Sequence, residues 1–169
     1  MKKVFNIIQN IEIALAVLII ILFFVIRVFG YTPYVVESGS MEPTIPTYSI
    51  AYVKSVNAND INKKNVIAFN IDKKVVTHRV IYINKNENCF VTKGDANKAK
   101  DPSPVKFENC IGKVSFHIEY LGQLIIFLQT LKGKIILGGI IVINIIIGCV
   151  INQKQKMNNL KGKWLIWKK

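Results

Sequence analysis

Cysteine and acidic residues are both scarce in this 169-residue chain. The first shortage bears on metal sites and disulfides, and the second bears on the classes of partner that the chain can bind. The three cysteines, Cys89, Cys110 and Cys149, show no CxxC spacing. The sequence therefore gives no case for zinc, and we expect no metal or other cofactor. A disulfide between Cys89 and Cys110 is conceivable if their segment lies outside the cell, but two unpaired thiols are at least as good an interpretation.

The shortage of Asp and Glu, 10 against 23 Lys and Arg, gives a net charge of +13. Such an excess is typical of nucleic-acid binding, of contact with anionic lipid, or of membrane topology signals. The middle of the chain, residues 31–134, has 14 basic and 9 acidic residues, whereas residues 154–169 have six Lys and no acid. Basic ends beside apolar runs fit the positive-inside rule better than a nucleic-acid footprint on a folded domain. We therefore expect membrane lipids and no nucleic acid among the partners.

Two long apolar runs predict membrane anchors. Residues 11–29 would form a helix of about 28 Å, close to the roughly 30 Å of a hydrocarbon core, and no small-x-small cleavage site follows them. Residues 135–151 are at the lower limit for a span. The lysine-rich tail places both termini in the cytoplasm. The expected segments are a cytoplasmic N-terminus (1–10), a first transmembrane helix (11–29), an extracytoplasmic β domain (30–119), an interfacial segment (120–134), a second transmembrane helix (135–151) and a basic cytoplasmic tail (152–169).

The segment between the anchors has the pattern of short strands. β-Branched and aromatic residues cluster in runs separated by Asn, Asp, Lys and Gly, and no long helical periodicity interrupts them. These runs are residues 34–36, 49–53, 66–69, 75–83 and 89–92, with residues 84–88 as a hairpin loop. The sequence predicts a mainly β domain, a small antiparallel barrel or sandwich, with an N-terminal and a C-terminal transmembrane helix.

Four residues of this segment are candidates for chemistry. Ser40 lies in a glycine-containing turn shortly after the first apolar run, and a serine hydroxyl becomes a useful nucleophile only when a base removes its proton. His78, in an extended segment, is the candidate base, and Asp95 and Asp101 are candidates to orient its ring. His117 is interpreted as structural or interfacial. The combination predicts a serine hydrolase held at a membrane surface.

Three short motifs resemble the boxes of type I signal peptidases. They are Ser38-Gly39-Ser40-Met41-Glu42-Pro43-Thr44, Thr77-His78-Arg79-Val80, and Gly94-Asp95-Ala96-Asn97 with Asp101. A His before the Arg is similar to the endoplasmic-reticulum-type branch, found also in archaea and some Gram-positive bacteria; most bacterial members have Lys there. Ala96 departs from that branch, which usually has Asn at this position.

The resemblance implies a membrane-bound serine endopeptidase that removes N-terminal signal peptides from exported preproteins. It implies that Ser40 is the nucleophile, that His78 is the general base, and that Asp101 pairs with the imidazole. Asp95 matches a second carboxylate of undefined role. Ser38 matches a position whose hydroxyl helps to bind the oxyanion, together with the backbone N–H of Ser40. Preproteins are the implied substrates, and no complex partner is indicated.

Two other interpretations remain open at this point. A related membrane serine protease that acts on other extracellular segments has the same sequence features. A catalytically inactive two-pass membrane scaffold would tolerate the loss of Ser40 and His78, because nothing in the sequence requires these residues for packing.

Overall fold

The computed structural model of the protein describes residues 2–72 and 74–167. These residues form three α-helices and seven β-strands: α1 (Lys2–Val28), β1 (Tyr31–Val35), β2 (Ile50–Lys54), β3 (Val66–Ile71), β4 (Lys74–Asn84), β5 (Cys89–Lys93), β6 (Val105–Lys106), β7 (Cys110–Ile118), α2 (Leu121–Gln129) and α3 (Leu131–Trp167). The chain divides into two compact units, one of Met1–Ile21 with Phe127–Lys169 and one of Leu22–Ile126.

Two of the three helices contain the predicted anchors. By length and composition, Lys3–Val28 of α1 and Leu131–Lys154 of α3 are both able to cross a membrane, with mean hydropathies of 2.9 and 2.6. Within the 18-residue apolar stretch of each helix no residue is buried, so the side chains are available to lipid. The two candidate transmembrane helices of the predicted fold are thus present, while the segment boundaries and the orientation across the membrane stay predictions.

The other unit is built on one antiparallel sheet with the strand order β1-β2-β7-β3-β4-β5-β6. The mainly β prediction is therefore confirmed. A hairpin loop does join β4 to β5, but it consists of residues 85–88, because Asn84 is the last residue of β4 and pairs with Cys89. A sandwich of two packed sheets is wrong, because all seven strands belong to the same sheet. Within the described residues, β1 and β6 are the outer strands, with one neighbour each.

Strand β7 lies in the middle of the sheet, between β2 and β3, although it was not among the predicted runs. Its pairing with β2 shifts register between Tyr52 and Val53, and its pairing with β3 shifts between Ala68 and Phe69. Gly112 lies in this strand, and a Cβ there would come within 2.2 Å of the carbonyl oxygen of Lys54. Glycine is needed at this close approach of two backbones, and it also breaks the alternation that would have identified the strand.

Two buried clusters stabilise the sheet. The larger one consists of Ile61, Ile67, Phe69, Val80, Phe90 and Val105. The smaller one consists of Val36, Met41, Ile45 and Ala51. The smaller cluster contains the residue directly after Ser40, so the candidate nucleophile is attached to the core by its neighbour. All three cysteines are free thiols, which favours the unpaired interpretation of Cys89 and Cys110.

Replacing Phe90 with Ala should destabilise the β unit by about 3–5 kcal/mol, because its ring is fully buried and packs on Phe107 with 4.5 Å between ring centroids. Cys89 is buried beside it and provides the measurement. In detergent, the urea midpoint for maleimide labelling of Cys89 should fall by at least about 1 M. Tyr82→Ala, at a side chain that is 59% exposed on β4, is the control and should leave the midpoint nearly unchanged. Equal midpoints for the two variants would contradict the assigned core.

Candidate active site

The backbone around Ser40 is fixed by a tight turn. Residues Gly39–Met41 form one turn of 3₁₀ helix, in which the Glu42 N–H donates to the Gly39 carbonyl at 3.0 Å. The Met41 side chain is fully buried in the smaller core cluster, and its carbonyl accepts from the Ile45 N–H at 2.9 Å. Because the residue after Ser40 is held by the core, the half-buried Ser40 hydroxyl has a defined direction.

His78 lies in the middle of the sheet, on β4, where it is paired with Ile67 of β3. The residue is only 9% exposed, and the Phe69 ring packs edge-on against the imidazole with 6.2 Å between centroids. Its Nε2 atom lies 3.2 Å from Ser40 Oγ. The structure thus brings together a hydroxyl and an imidazole that are 38 residues apart in the chain.

Asp101 contacts the other nitrogen of the same ring. Its Oδ2 atom lies 2.6 Å from His78 Nδ1 and also accepts a 2.7 Å hydrogen bond from the Thr92 hydroxyl. The Asp101 N–H donates to the Thr92 carbonyl at 2.9 Å, so side chain and backbone are both tied to β5. With Nδ1 donating to the carboxylate, Nε2 is the nitrogen that can accept the proton of the Ser40 hydroxyl.

Thr92 is a member of this network that sequence reasoning missed. It is fully buried and supplies the hydroxyl that orients the Asp101 carboxylate. A threonine inside a β-branched run predicts a strand residue and nothing more. The only available signal was its place directly before the Lys93-Gly94-Asp95 turn, which is too common a pattern to indicate a role.

Asp95 makes a different contact. It forms a bidentate ion pair with Arg79. The distances are 2.7 Å from Arg79 Nε to Asp95 Oδ1 and 2.5 Å from Arg79 Nη2 to Asp95 Oδ2. The same guanidinium donates to the Lys64 carbonyl at 2.8 Å and to the Thr44 hydroxyl at 3.4 Å. Arg79 therefore joins three segments around the site: the loop after β5, the turn before β3, and the stretch after Ser40.

The hydrogen bonds from Arg79 hold the pKa of the Asp95 carboxyl below its usual range, although burial acts in the opposite direction. The same pair raises the pKa of Arg79. Asp95 is therefore charged at neutral pH and is engaged by a permanent cation. Through Arg79, Asp95 helps to hold together the three segments around the site, whereas Asp101 is the carboxylate in contact with the imidazole.

The loop that carries both carboxylates also contacts the nucleophile turn. The Ala96 N–H donates to the Ser40 carbonyl at 2.9 Å. A Cβ on Gly94 would come within 2.6 Å of the same oxygen, so glycine is required for this approach. Because Ala96 makes its hydrogen bond through the backbone, its departure from the related sequences leaves this contact in place.

Ser38 is exposed, and its Oγ atom lies 3.2 Å from Ser40 Oγ. An open groove of about 390 Å³ passes beside both serines. One wall is the end of β1 with the residues that follow it, and the other is the beginning of β4; the lining residues are Tyr34, Val35, Val36, Glu37, Ser38, Ser40, Lys74, Val75, Val76 and Thr77. An extended peptide would fit between these walls and bring one of its carbonyl groups to Ser40.

A hydroxyl, an imidazole and a carboxylate connected in series by hydrogen bonds are the arrangement of serine hydrolases that work by acyl transfer. The comparisons with known proteins narrow this class. A family described as "Signal peptidase, peptidase S26" matches residues 9–91, a range that contains Ser38, Ser40 and His78 and ends before Asp95. Signal peptidase I W of Bacillus subtilis (strain 168) is 45% identical over 86 residues, which are 48% of this chain and 45% of that protein.

Parts of the chain are thus similar to the signal peptidase S26 family and to a signal peptidase I of Bacillus subtilis. The family match includes two of the three short motifs noted in the sequence, residues 38–44 and 77–80. The chain spans just under half the length of the curated relative that it matches.

Asp95→Asn should lower the free energy of unfolding of the β unit at pH 7 by about 1–2 kcal/mol, since it removes one partner of a charged pair that is partly exposed. A carboxyl whose pKa is lowered on folding contributes stability above its unfolded pKa of about 3.9, and this contribution is lost as pH falls through the lower, folded pKa. The difference between wild type and variant should therefore be full at pH 5–7 and should shrink below about pH 4.

Thermal unfolding followed by near-ultraviolet circular dichroism at several pH values measures this difference. The matched control is Glu108→Gln, which breaks the exposed 3.6 Å ion pair with Lys106 and should change stability by less than about 0.5 kcal/mol. A difference between wild type and Asp95→Asn that stays constant down to pH 3 would contradict the assigned ion pair.

Proposed function

We propose that the protein is a membrane-bound serine endopeptidase that removes N-terminal signal peptides from exported preproteins. The observation that carries the proposal is the series of hydrogen bonds from Ser40 through His78 to Asp101. These three residues come from a turn, a central strand and a loop, and packing alone gives no reason for them to meet. The signal peptidase match supports the choice of substrate, because it covers the segment that contributes the serine and the histidine.

Catalysis is proposed to begin with attack of Ser40 Oγ on the carbonyl carbon of the scissile peptide bond. As the new C–O bond forms, His78 Nε2 takes the hydroxyl proton, and the imidazolium is stabilised by the Asp101 carboxylate. The imidazolium then gives the proton to the departing amine as the C–N bond breaks. A water molecule, deprotonated by the same imidazole, hydrolyses the acyl-enzyme and regenerates Ser40.

The negative charge that develops on the carbonyl oxygen needs hydrogen-bond donors. The proposed donors are the Ser40 N–H, in the middle of the turn that Met41 anchors, and the Ser38 hydroxyl. Ser38 Oγ is suitably close, at 3.2 Å from Ser40 Oγ, and it is exposed, so it is free to rotate towards the oxyanion. Losing one such donor typically lowers kcat by about 10²–10³-fold.

The groove beside Ser40 is the proposed binding site for the cleavage segment. A preprotein strand lying between β1 and the beginning of β4 would form backbone hydrogen bonds, which bind any sequence, while side-chain pockets select particular residues. Valine side chains on both walls make shallow apolar contacts. Such contacts suit the small residues that the resemblance to signal peptidases implies at positions −1 and −3, the first and third residues before the cleaved bond.

Membrane attachment is proposed to compensate for such weak side-chain recognition. Enzyme and signal helix in one bilayer have a high effective concentration, so modest affinity in the groove suffices. The catalytic unit would lie on the extracytoplasmic face, with both termini in the cytoplasm and lipids around α1 and α3.

Ser40→Ala should abolish cleavage of a preprotein by the full chain in liposomes, since it removes the hydroxyl that contacts the His78 imidazole. Wild type should release a mature protein whose new N-terminus follows small residues at −1 and −3. Product N-termini are read by mass spectrometry, and Ser115→Ala, at an exposed serine of β7, is the matched control. Cleavage by the Ser40→Ala enzyme at the wild-type rate would remove Ser40 from the mechanism, and no cleavage by wild type would favour the inactive scaffold.

Asp101→Asn should lower kcat by about 10²–10⁴-fold with little change in KM, because the amide cannot stabilise the imidazolium and disturbs the ring tautomer. Single-turnover kinetics on the same preprotein measure this split. Asp95→Asn is the comparison and should have the smaller effect on kcat, since Asp95 contacts Arg79 instead of the imidazole. An equal loss in both variants would refute the division of roles between the carboxylates.

A further inference from the structure

Two opposite charges line the groove that contains Ser40. Glu37 belongs to the wall that follows β1, and Lys74 begins β4 on the other wall; both side chains are exposed. In residues 2–72 and 74–167, neither of them takes part in an ion pair. The remaining walls are largely apolar, with Val35, Val75 and Val76 among the lining residues. A peptide in the groove therefore meets two charged groups that the protein itself leaves uncompensated.

The sheet register sets the position of Lys74 along the groove. The pairing of β4 with β3 runs without a bulge from Lys74 to Arg79. With a rise of about 3.3 Å per residue, Lys74 lies about 13 Å before His78 along the strand. Since side chains alternate, Lys74 is on the same face of β4 as Val76 and His78. An extended substrate has the same rise, so this ammonium group is four to five substrate residues away from the scissile carbonyl.

Glu37 is nearer to Ser40 along the chain, three residues before it, and both residues line the groove. The tight turn at Gly39–Met41 shortens the distance that these residues span. A substrate lying along this wall would meet the Glu37 carboxylate about two residues from its scissile carbonyl. In an extended peptide, position −2 points away from the side that −1 and −3 present, so its side chain is free to meet a charged group.

We propose that the groove selects substrates by charge at two separate positions before the cleaved bond. Lys74 favours an acidic residue at −4 or −5, and Glu37 favours a basic residue and rejects an acidic one at −2. This inference rests on the proposed peptidase function and adds to it a specificity that is independent of the small residues at −1 and −3. Like charges placed together in the groove repel each other, so each residue acts by exclusion as well as by attraction.

The test uses the full chain in phosphatidylcholine liposomes, whose zwitterionic lipid adds no net surface charge. The substrates are one preprotein with Ala at −2, −4 and −5, and its derivatives with a single Glu or Lys at each of these positions. At −4 or −5, kcat/KM should be about 2–5-fold higher for Glu than for Lys, and at −2 the order should be reversed, as expected for partly exposed ion pairs. Both ratios should approach one in 1 M salt.

Variants assign each preference to its residue. Lys74→Gln should make kcat/KM nearly equal for Glu and Lys at −4 or −5 and should keep the difference between them at −2. Glu37→Gln should have the opposite effect. Lys74→Glu should invert the −4/−5 preference, an effect that a general loss of structure cannot produce. Matched controls are Lys85→Gln and Asp60→Asn, exposed residues that do not line the groove, and both ratios should persist in them.

The outcomes separate this inference from the proposed function. Cleavage of all derivatives at equal rates would overturn the charge selection and leave the peptidase function intact. The same ratio change in a control variant and in its groove counterpart would also overturn it, because the preference would then follow net charge. If wild type cleaves none of the preproteins, the peptidase function fails and the charge selection fails with it.

Discussion

The hydrogen bonds made by the loop after β5 hold the whole site together. Through one backbone N–H this loop fixes the carbonyl of Ser40, and through Asp101 it contacts the imidazole of His78. The nucleophile turn and the central strand are thus attached to the same few residues. Because a misplacement of about 1 Å can cost two orders of magnitude in rate, this shared attachment matters more than any single contact in the site.

The two carboxylates of the loop differ in role because they contact different partners. Asp101 faces a ring that must gain and lose a proton, whereas Asp95 faces a guanidinium whose charge is permanent. His78 and Arg79 are neighbours on one strand, so the alternation of side chains sends the imidazole and the guanidinium to opposite faces. The face of β4 that presents His78 therefore takes part in the proposed chemistry, and the face that presents Arg79 holds the surrounding segments together.

Much of the fold was predictable because its signals are local. The apolar runs indicated the helices, and five of the seven strands were visible as β-branched runs. Strand β7 was missed because Gly112 interrupts its alternation, and β6 because two residues carry no period. The sandwich alternative failed because strand order depends on long-range pairing, which a single sequence does not encode locally.

The site, like the fold, was predictable where its signals are local and not where they depend on contacts between distant residues. Ser40, His78 and Asp101 were predicted from the types and order of residues, and the structure brings their side chains together. Which carboxylate meets the ring could not be decided from the sequence, because both belong to one loop and its path is set by contacts with Ser40 and Thr92. Thr92 itself was not identifiable, since its role depends on a partner nine residues away.

The alternation along β4 also limits how this strand can change in length. An inserted or deleted residue between Lys74 and His78 would shift every following side chain to the opposite face of the sheet. A deletion would bring the Arg79 guanidinium to the place of the imidazole beside Ser40, and an insertion would bring Thr77 there. In either case the general base is replaced by a side chain that cannot serve as one. Insertions and deletions in the hairpin loop at residues 85–88 face no such restriction, so variation in length is tolerable there and forbidden between Lys74 and His78.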